Sequence, residues 1–177
     1  QTNMPRHGIV RKKEFKCVTE TENSILFEIE SNEEMLAQYP YEFKLGIEYT
    51  LKDKKITIRY IIENKDKEIM PFQIGGHPGF HCPLYKEESY DDYELVFEKK
   101  ETCTVPTPVT ETGLIDMEHR SGFLEDTDTL PLKHDLFSVD AVILDQLKSR
   151  AVTLKSKKHN KGIRLDFEQF PYLILWS

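Results

Sequence analysis

The chain has 177 residues, of which 38% are hydrophobic and 31% charged, and its formal net charge is −7. That length suits one core of useful size, so a single β-sandwich domain over residues 1–177 is expected. The acidic balance argues against nucleic acid and anionic membrane as partners, which are gripped by basic patches, and no apolar run approaches a membrane span.

In chain order, the dominant signal is alternation with period two, which places apolar residues on one face of a strand. Residues 24–30 alternate, and residues 32–38 then favour a short helix that Pro40 stops. Residues 43–51 and 56–62 alternate on either side of a polar turn at 52–55, predicting an antiparallel hairpin that ends at residues 63–66. Strands are further predicted over residues 93–97, 141–144, 151–154 and 163–167. Residues 102–132 carry Pro106, Pro108, Gly113, Gly122 and Pro131 as breakers, and read as a long loop. The predicted class is all-β and mostly antiparallel. Cys17, Cys82 and Cys103 are odd in number and widely spaced, without a CxxC pair. Reduced thiols in a cytoplasmic protein are the simplest account of them.

The stretch IMPFQIGGHPGFHCPL, residues 69–84, sets His77 between Gly-Gly and Pro-Gly. Glycine permits a turn or a close approach, and proline fixes φ, so this imidazole is held in one orientation. That suits acid–base chemistry near neutral pH, the alternative being a turn histidine satisfied by backbone groups. His7, in NMPRHGIVR, is followed four residues later by Arg11. On an extended segment both would share one face and point into one pocket; otherwise they are solvated charges on a surface turn. His77 and His81 are spaced for a metal, but Pro78 and Gly79 rule out a regular helix between them, and no metal site is expected. His119, His134 and His159 lie in polar surroundings and are expected to be exposed. Asp140 interrupts the apolar run LFSVDAVIL. Facing the sheet interior it would need a partner and would suit a hydroxyl ligand; facing water it would simply start a strand. Tyr172 and Trp176, in FPYLILWS, are expected in the core, or else at a wall where a ring stacks on a sugar face. No GxSxG, phosphate loop or dinucleotide fingerprint is present. Fixed histidines, an arginine and an aspartate on a β scaffold suit binding and proton transfer on a neutral, hydroxyl-rich ligand.

The segments MPRHGIVR, EEMLAQYPYEFKLGIEYTL, MPFQIGGHPGFHCPL, FSVDAVIL and FEQFPYLILWS occur in the order seen in the aldose 1-epimerase (galactose mutarotase) family, and the chain resembles its LacX-like bacterial branch. The resemblance implies an antiparallel β-supersandwich with an open sugar cleft, a hexose or related sugar as partner, and no cofactor or metal. It implies interconversion of α and β anomers: an acid protonates the ring oxygen, a base takes the C1 hydroxyl proton, and the ring opens, rotates and recloses. His77 matches the general acid and His7 a second histidine near the reacting centre. Arg11 and Asp140 match residues that bind sugar hydroxyls. The family's base is a glutamate in a Cys-x-Glu-Pro-Trp-like segment beyond the PYLILW block, whereas this sequence ends at Ser177 and begins at Gln1. Glu168 precedes the block and does not match the base. The chain is therefore expected to be the middle portion of a longer one, its sandwich incomplete and its open strand edges prone to association. The alternative function is a carbohydrate-binding β-sandwich without catalysis. A phosphorylated sugar would draw on Arg11 and Arg6.

Overall fold

A computed structural model describes Met4, Pro5 and residues 7–177, and divides into two compact units at residues 1–74 and 75–177. Arg6, considered above for anion binding, lies outside the described residues.

The first unit holds strands β1 (Lys16–Glu20), β2 (Ser24–Glu30), β3 (Phe43–Lys52) and β4 (Lys55–Asn64), with a one-turn helix α1 (Glu33–Leu36) between β2 and β3. Every neighbouring pair is antiparallel, in the order β1-β2-β3-β4. The β3–β4 register runs without a break from Phe43↔Asn64 to Lys52↔Lys55, and Asp53 takes a positive φ of 54° to close the turn. Short polar residues tolerate that conformation best after glycine. The Asn32 side chain accepts the Met35 N–H at 3.0 Å and so starts α1. Met35, Phe43 and Leu45 are buried, with Ile9, Val10, Phe15, Ile29, Ile47 and Ile62 packed around them. Period two in β2, β3 and β4 thus delivers one apolar face, as expected. At the far end of that face Tyr49, Leu51, Ile56 and Ile58 are exposed.

The second unit holds β5 (Tyr93–Val109), β6 (Leu114–Pro131), β7 (Val142–Leu144), β8 (Ala151–Ser156), β9 (Gly162–Asp166) and β10 (Leu173–Leu175). Four of these form an antiparallel sheet in the order β6-β5-β8-β9, and β10 pairs with β7 in a separate two-stranded ladder. The core contains Tyr93, Leu95, Phe97, Leu124, Val142, Leu144, Val152, Leu154, Phe167 and Leu173.

One expectation fails here. Residues 102–132, read as a loop, are the outer half of the β5–β6 hairpin. The breakers are accommodated for a geometric reason. β8 pairs β5 only from Tyr93 to Phe97, so beyond that point the side of β5 turned away from β6 carries no strand among the described residues. The Thr104 N–H points to that open side and donates to Gln146 Oε1 at 3.1 Å. Pro106, two residues on in the same register, has its nitrogen on the same side, where the missing N–H removes no ladder bond. Bulges at four places absorb the mismatches, and Gly113, with φ of 69°, closes the hairpin by donating its N–H to Val109 O at 2.8 Å.

All three cysteines are free thiols, Cys17 exposed and Cys103 buried. No helix among the described residues is long and apolar enough to cross a membrane.

Candidate functional site

His7 and Arg11 sit in the first unit, but not on an extended segment. His7 has φ of 67° and Gly8 φ of 77°, and the Gly8 N–H donates to Pro5 O at 3.0 Å. A second turn follows, in which the Lys13 N–H donates to Val10 O at 3.1 Å. The same-face argument drawn from strand periodicity therefore does not hold for this pair. Between the turns Ile9 and Val10 pack on the Met35 core and fix the loop, leaving His7 and Arg11 exposed. A left-handed φ at a histidine is uncommon and mildly strained, and such positions concentrate at functional sites.

His77 and Asp140 belong to the second unit. His77 and His81 are exposed on a segment, residues 75–81, that forms neither helix nor strand. A Cβ placed on Gly75 or on Gly79 would meet nothing within 4 Å, so neither glycine is required by close packing within the chain. At the segment's far end Cys82 and Leu84 pack against the core, and the Leu84 N–H donates to Tyr93 Oη at 2.8 Å.

Asp140 is exposed, two residues before β7, and its Oδ1 accepts the Ala141 N–H at 2.7 Å. It starts a strand and faces water, so its carboxylate is not turned into the sheet interior. Val142 pairs with Leu175, which sets Asp140 and Trp176 at the same end of the β7–β10 ladder. Tyr172 and Trp176 are 61% and 69% exposed, so of the two readings drawn from the sequence the core one fails. β10 turns Leu173 and Leu175 toward the core and Ile174 to solvent, because a strand alternates its faces.

Two polar clusters escaped sequence reasoning. In the first, the buried Glu88 carboxylate accepts a hydrogen bond from Tyr93 Oη on Oε2 and one from Ser156 Oγ, at 2.7 Å, on Oε1. His159 Nε2 lies 3.0 Å from the same Oε1 without hydrogen-bond geometry, so that contact is electrostatic. His159 is consequently half-buried, against the expectation of exposure. Burial pulls the Glu88 carboxyl upward. The Tyr93 and Ser156 hydroxyls, with the charges of His159 and Lys158, outweigh that pull and hold it below the usual glutamate range. Burial, and then the bond to Glu88, raise the Tyr93 phenol. In the second cluster the Arg120 guanidinium grips Asp145 with two bonds of 2.6 and 3.1 Å, and donates from Nε to Thr104 Oγ1 at 2.8 Å. Arg120 holds the Asp145 carboxyl below its ordinary value. Neither cluster forms a short motif, which is why local pattern could not find it. Among the described residues no group of three or more histidine, cysteine, aspartate or glutamate side chains is placed to hold a metal ion.

A family model described as aldose 1-epimerase matches residues 1–176. The chain is 50% identical over 173 residues to the plasmid and chromosomal forms of Protein LacX from Lactococcus lactis subsp. lactis, a match covering 97% of this chain and 58% of each relative. Among solved structures it is similar to a galactose mutarotase related enzyme from Lactobacillus acidophilus, at 29% identity with a TM-score of 0.89, over 99% of this chain and 58% of that one. It is also similar to a galactose mutarotase-like protein from Lactobacillus casei, at 32% identity with a TM-score of 0.81, over 99% of this chain and 60% of that one. The chain thus spans 58% of the length of the curated relatives it matches.

Proposed function

The chain belongs to the aldose 1-epimerase family, and from that premise we propose that it carries the acid side of a sugar isomerase interconverting the α and β anomers of a hexose. The observation that carries this reading is the family match across residues 1–176, which takes in His7, Arg11, His77 and Asp140. In the proposed reaction the protonated His77 imidazole gives its proton to the ring oxygen while a base removes the proton from the C1 hydroxyl. The C1–ring oxygen bond breaks, the aldehyde rotates about C1–C2, and the hydroxyl re-adds from the other face. Every proton taken is returned, so the cycle needs an acid and a base of suitable pKa and no redox partner.

The local geometry supports the acid's role. His77 is exposed, as an acid that must touch substrate has to be, and a Cβ at Gly75 or Gly79 would meet nothing within 4 Å. His7, Arg11 and Asp140 are exposed donors and acceptors suited to sugar hydroxyls. The open faces of Tyr172 and Trp176 offer stacking surfaces of the kind sugars use.

The test is the optical rotation of freshly dissolved α-D-glucose or α-D-galactose with and without the full-length protein, because the acid alone supplies only half of the proton relay. Exchange faster than buffer is expected, and His77→Asn should remove on the order of 10²- to 10⁴-fold of the gain, the usual contribution of a general acid. Saturable sugar binding with no added exchange would shift the reading to a non-catalytic carbohydrate-binding protein. Neither binding nor exchange would overturn both.

A further inference from the structure

The His77 segment is irregular, yet one of its ends is tied to the most deeply buried polar group in its neighbourhood. Leu84 stands seven residues beyond His77, and its N–H donates to Tyr93 Oη at 2.8 Å. The Tyr93 hydroxyl donates onward to Glu88 Oε2, and Glu88 Oε1 accepts from Ser156 Oγ at 2.7 Å. Ser156 Oγ in turn accepts the Lys158 N–H at 3.1 Å. Tyr93 is 0% and Ser156 1% exposed. The two are cross-strand partners in the β5–β8 ladder, so the relay ends on the rigid part of the sheet. We propose that Glu88 and Tyr93 are positioning residues for His77: through the Leu84 N–H they fix the C-terminal end of the segment that carries the imidazole.

The chemistry of the relay favours this role. Tyr93 Oη accepts one hydrogen bond and donates another, and a carboxylate acceptor makes the donated bond stronger than a neutral one would. The polarised phenol then receives the Leu84 N–H more firmly. Between Leu84 and His77 stand Pro78 and Pro83, each with a fixed φ, which reduces how much displacement of Leu84 the segment, with Gly79 within it, can absorb. A site on a non-regular segment keeps its geometry only if neighbouring groups lock it, and a misplacement near 1 Å is worth about 100-fold in rate.

This inference rests on the reading of His77 as the acid, so its test is read on the imidazole itself. Tyr93→Phe removes both the acceptor for Leu84 and the donor to Glu88 while leaving the ring packed. Glu88→Gln keeps the shape and removes the charge, and serves if Tyr93→Phe fails to fold. In Tyr93→Phe the Leu84 amide should exchange with solvent roughly tenfold faster, as for the loss of one buried hydrogen bond. The His77 ring resonances in a nitrogen–proton correlation spectrum should shift, while those of His119 and His134 stay in place. Glu88→Gln should move the same His77 signals in the same direction by less. Anomer exchange, where the protein shows it, should fall on the order of 10- to 100-fold in kcat with KM little changed. Faster Leu84 exchange with unmoved His77 resonances would make the relay a local prop and overturn the proposal. Absence of anomer exchange in the unmodified protein would retire the proposed function, yet the imidazole signals would still decide the positioning.

Discussion

Glu101 is fully buried within β5, and its carboxylate holds the connection between β7 and β8 in place. It accepts the Lys148 N–H at 3.1 and 3.0 Å on its two oxygens and the Ser149 N–H at 2.7 Å. Ser149 Oγ completes the tie by accepting the Lys99 N–H at 3.0 Å. Glu101→Ala would leave the buried Ser149 N–H and the part-buried Lys148 N–H without an acceptor, each worth about 1–3 kcal/mol, so a loss of about 2–6 kcal/mol is expected. Glu101→Gln keeps one good acceptor and loses the charge, for about 1–3 kcal/mol. Against the roughly 5–15 kcal/mol that a domain typically has, the alanine variant should be visibly crippled. Burial pushes this carboxyl upward, but the Lys148 and Ser149 donors outweigh it and hold it below the glutamate range. A depressed carboxyl contributes stability that is full above its unfolded pKa and is lost as pH falls through its folded one. The gap between unmodified protein and Glu101→Gln should therefore be constant near neutrality and close on acidification below the ordinary glutamate range. Urea unfolding followed by circular dichroism, repeated from pH 7 downward, measures both effects. A loss under about 1 kcal/mol for Glu101→Ala, or a gap that widens in acid, would refute the assignment of this carboxylate as the acceptor for the loop amides.

Gly162 opens β9, where a Cβ would lie 2.4 Å from the Leu154 carbonyl oxygen. Gly162→Ala should cost about 1–3 kcal/mol, read as a lowered melting temperature, and an unchanged one would contradict the pairing of Lys155 with Gly162. At His7, where φ is 67°, glycine relieves a left-handed strain of about 1–2 kcal/mol and returns roughly half of it as chain entropy. His7→Gly should thus change thermal unfolding by no more than about 1–2 kcal/mol, the strain relief offsetting part of whatever the imidazole contributes, while sugar binding by titration calorimetry weakens. A destabilised variant that still binds would show the imidazole to be a structural group.

Much of the fold was legible because one face of each sheet is buried. The predicted strand at residues 24–30 coincides with β2, and the hairpin around Asp53 differs from expectation by one residue at its turn and two at its end. The outer β5–β6 hairpin was hidden because proline and glycine were read for what they forbid in a central strand. Whether Pro106 breaks a ladder depends on which side of the strand its nitrogen faces, and that depends on how far β8 extends. For Asp140 and Trp176 the sequence left two readings open for a related reason: an apolar run does not say where a short strand begins, and the residues just outside β7 and β10 fall in solvent. The His77 segment announced itself through composition alone. Its anchor could not, since Glu88 meets partners 5 and 68 residues away along the chain.

The two candidate histidines are held by different devices, and the difference governs what substitutions at each can mean. At His7 position is written into the backbone: the His7–Gly8 turn sets the direction of the side chain, and Ile9 and Val10 moor it to a core. A residue that tolerates left-handed φ, such as asparagine, keeps the turn, so its effect reports on the imidazole alone. At His77 no positive φ marks the backbone, and the neighbouring Gly75 and Gly79 are not pressed by packing. At its C-terminal end the segment is held through the Leu84 N–H, the Tyr93 hydroxyl and the buried Glu88 carboxylate. With His77 as the proposed acid, a substitution as far away as Ser156 would be expected to alter the rate without touching substrate. A loss of rate at such a site would identify support for the proposed acid, and only a change that removes the ring itself would test the acid.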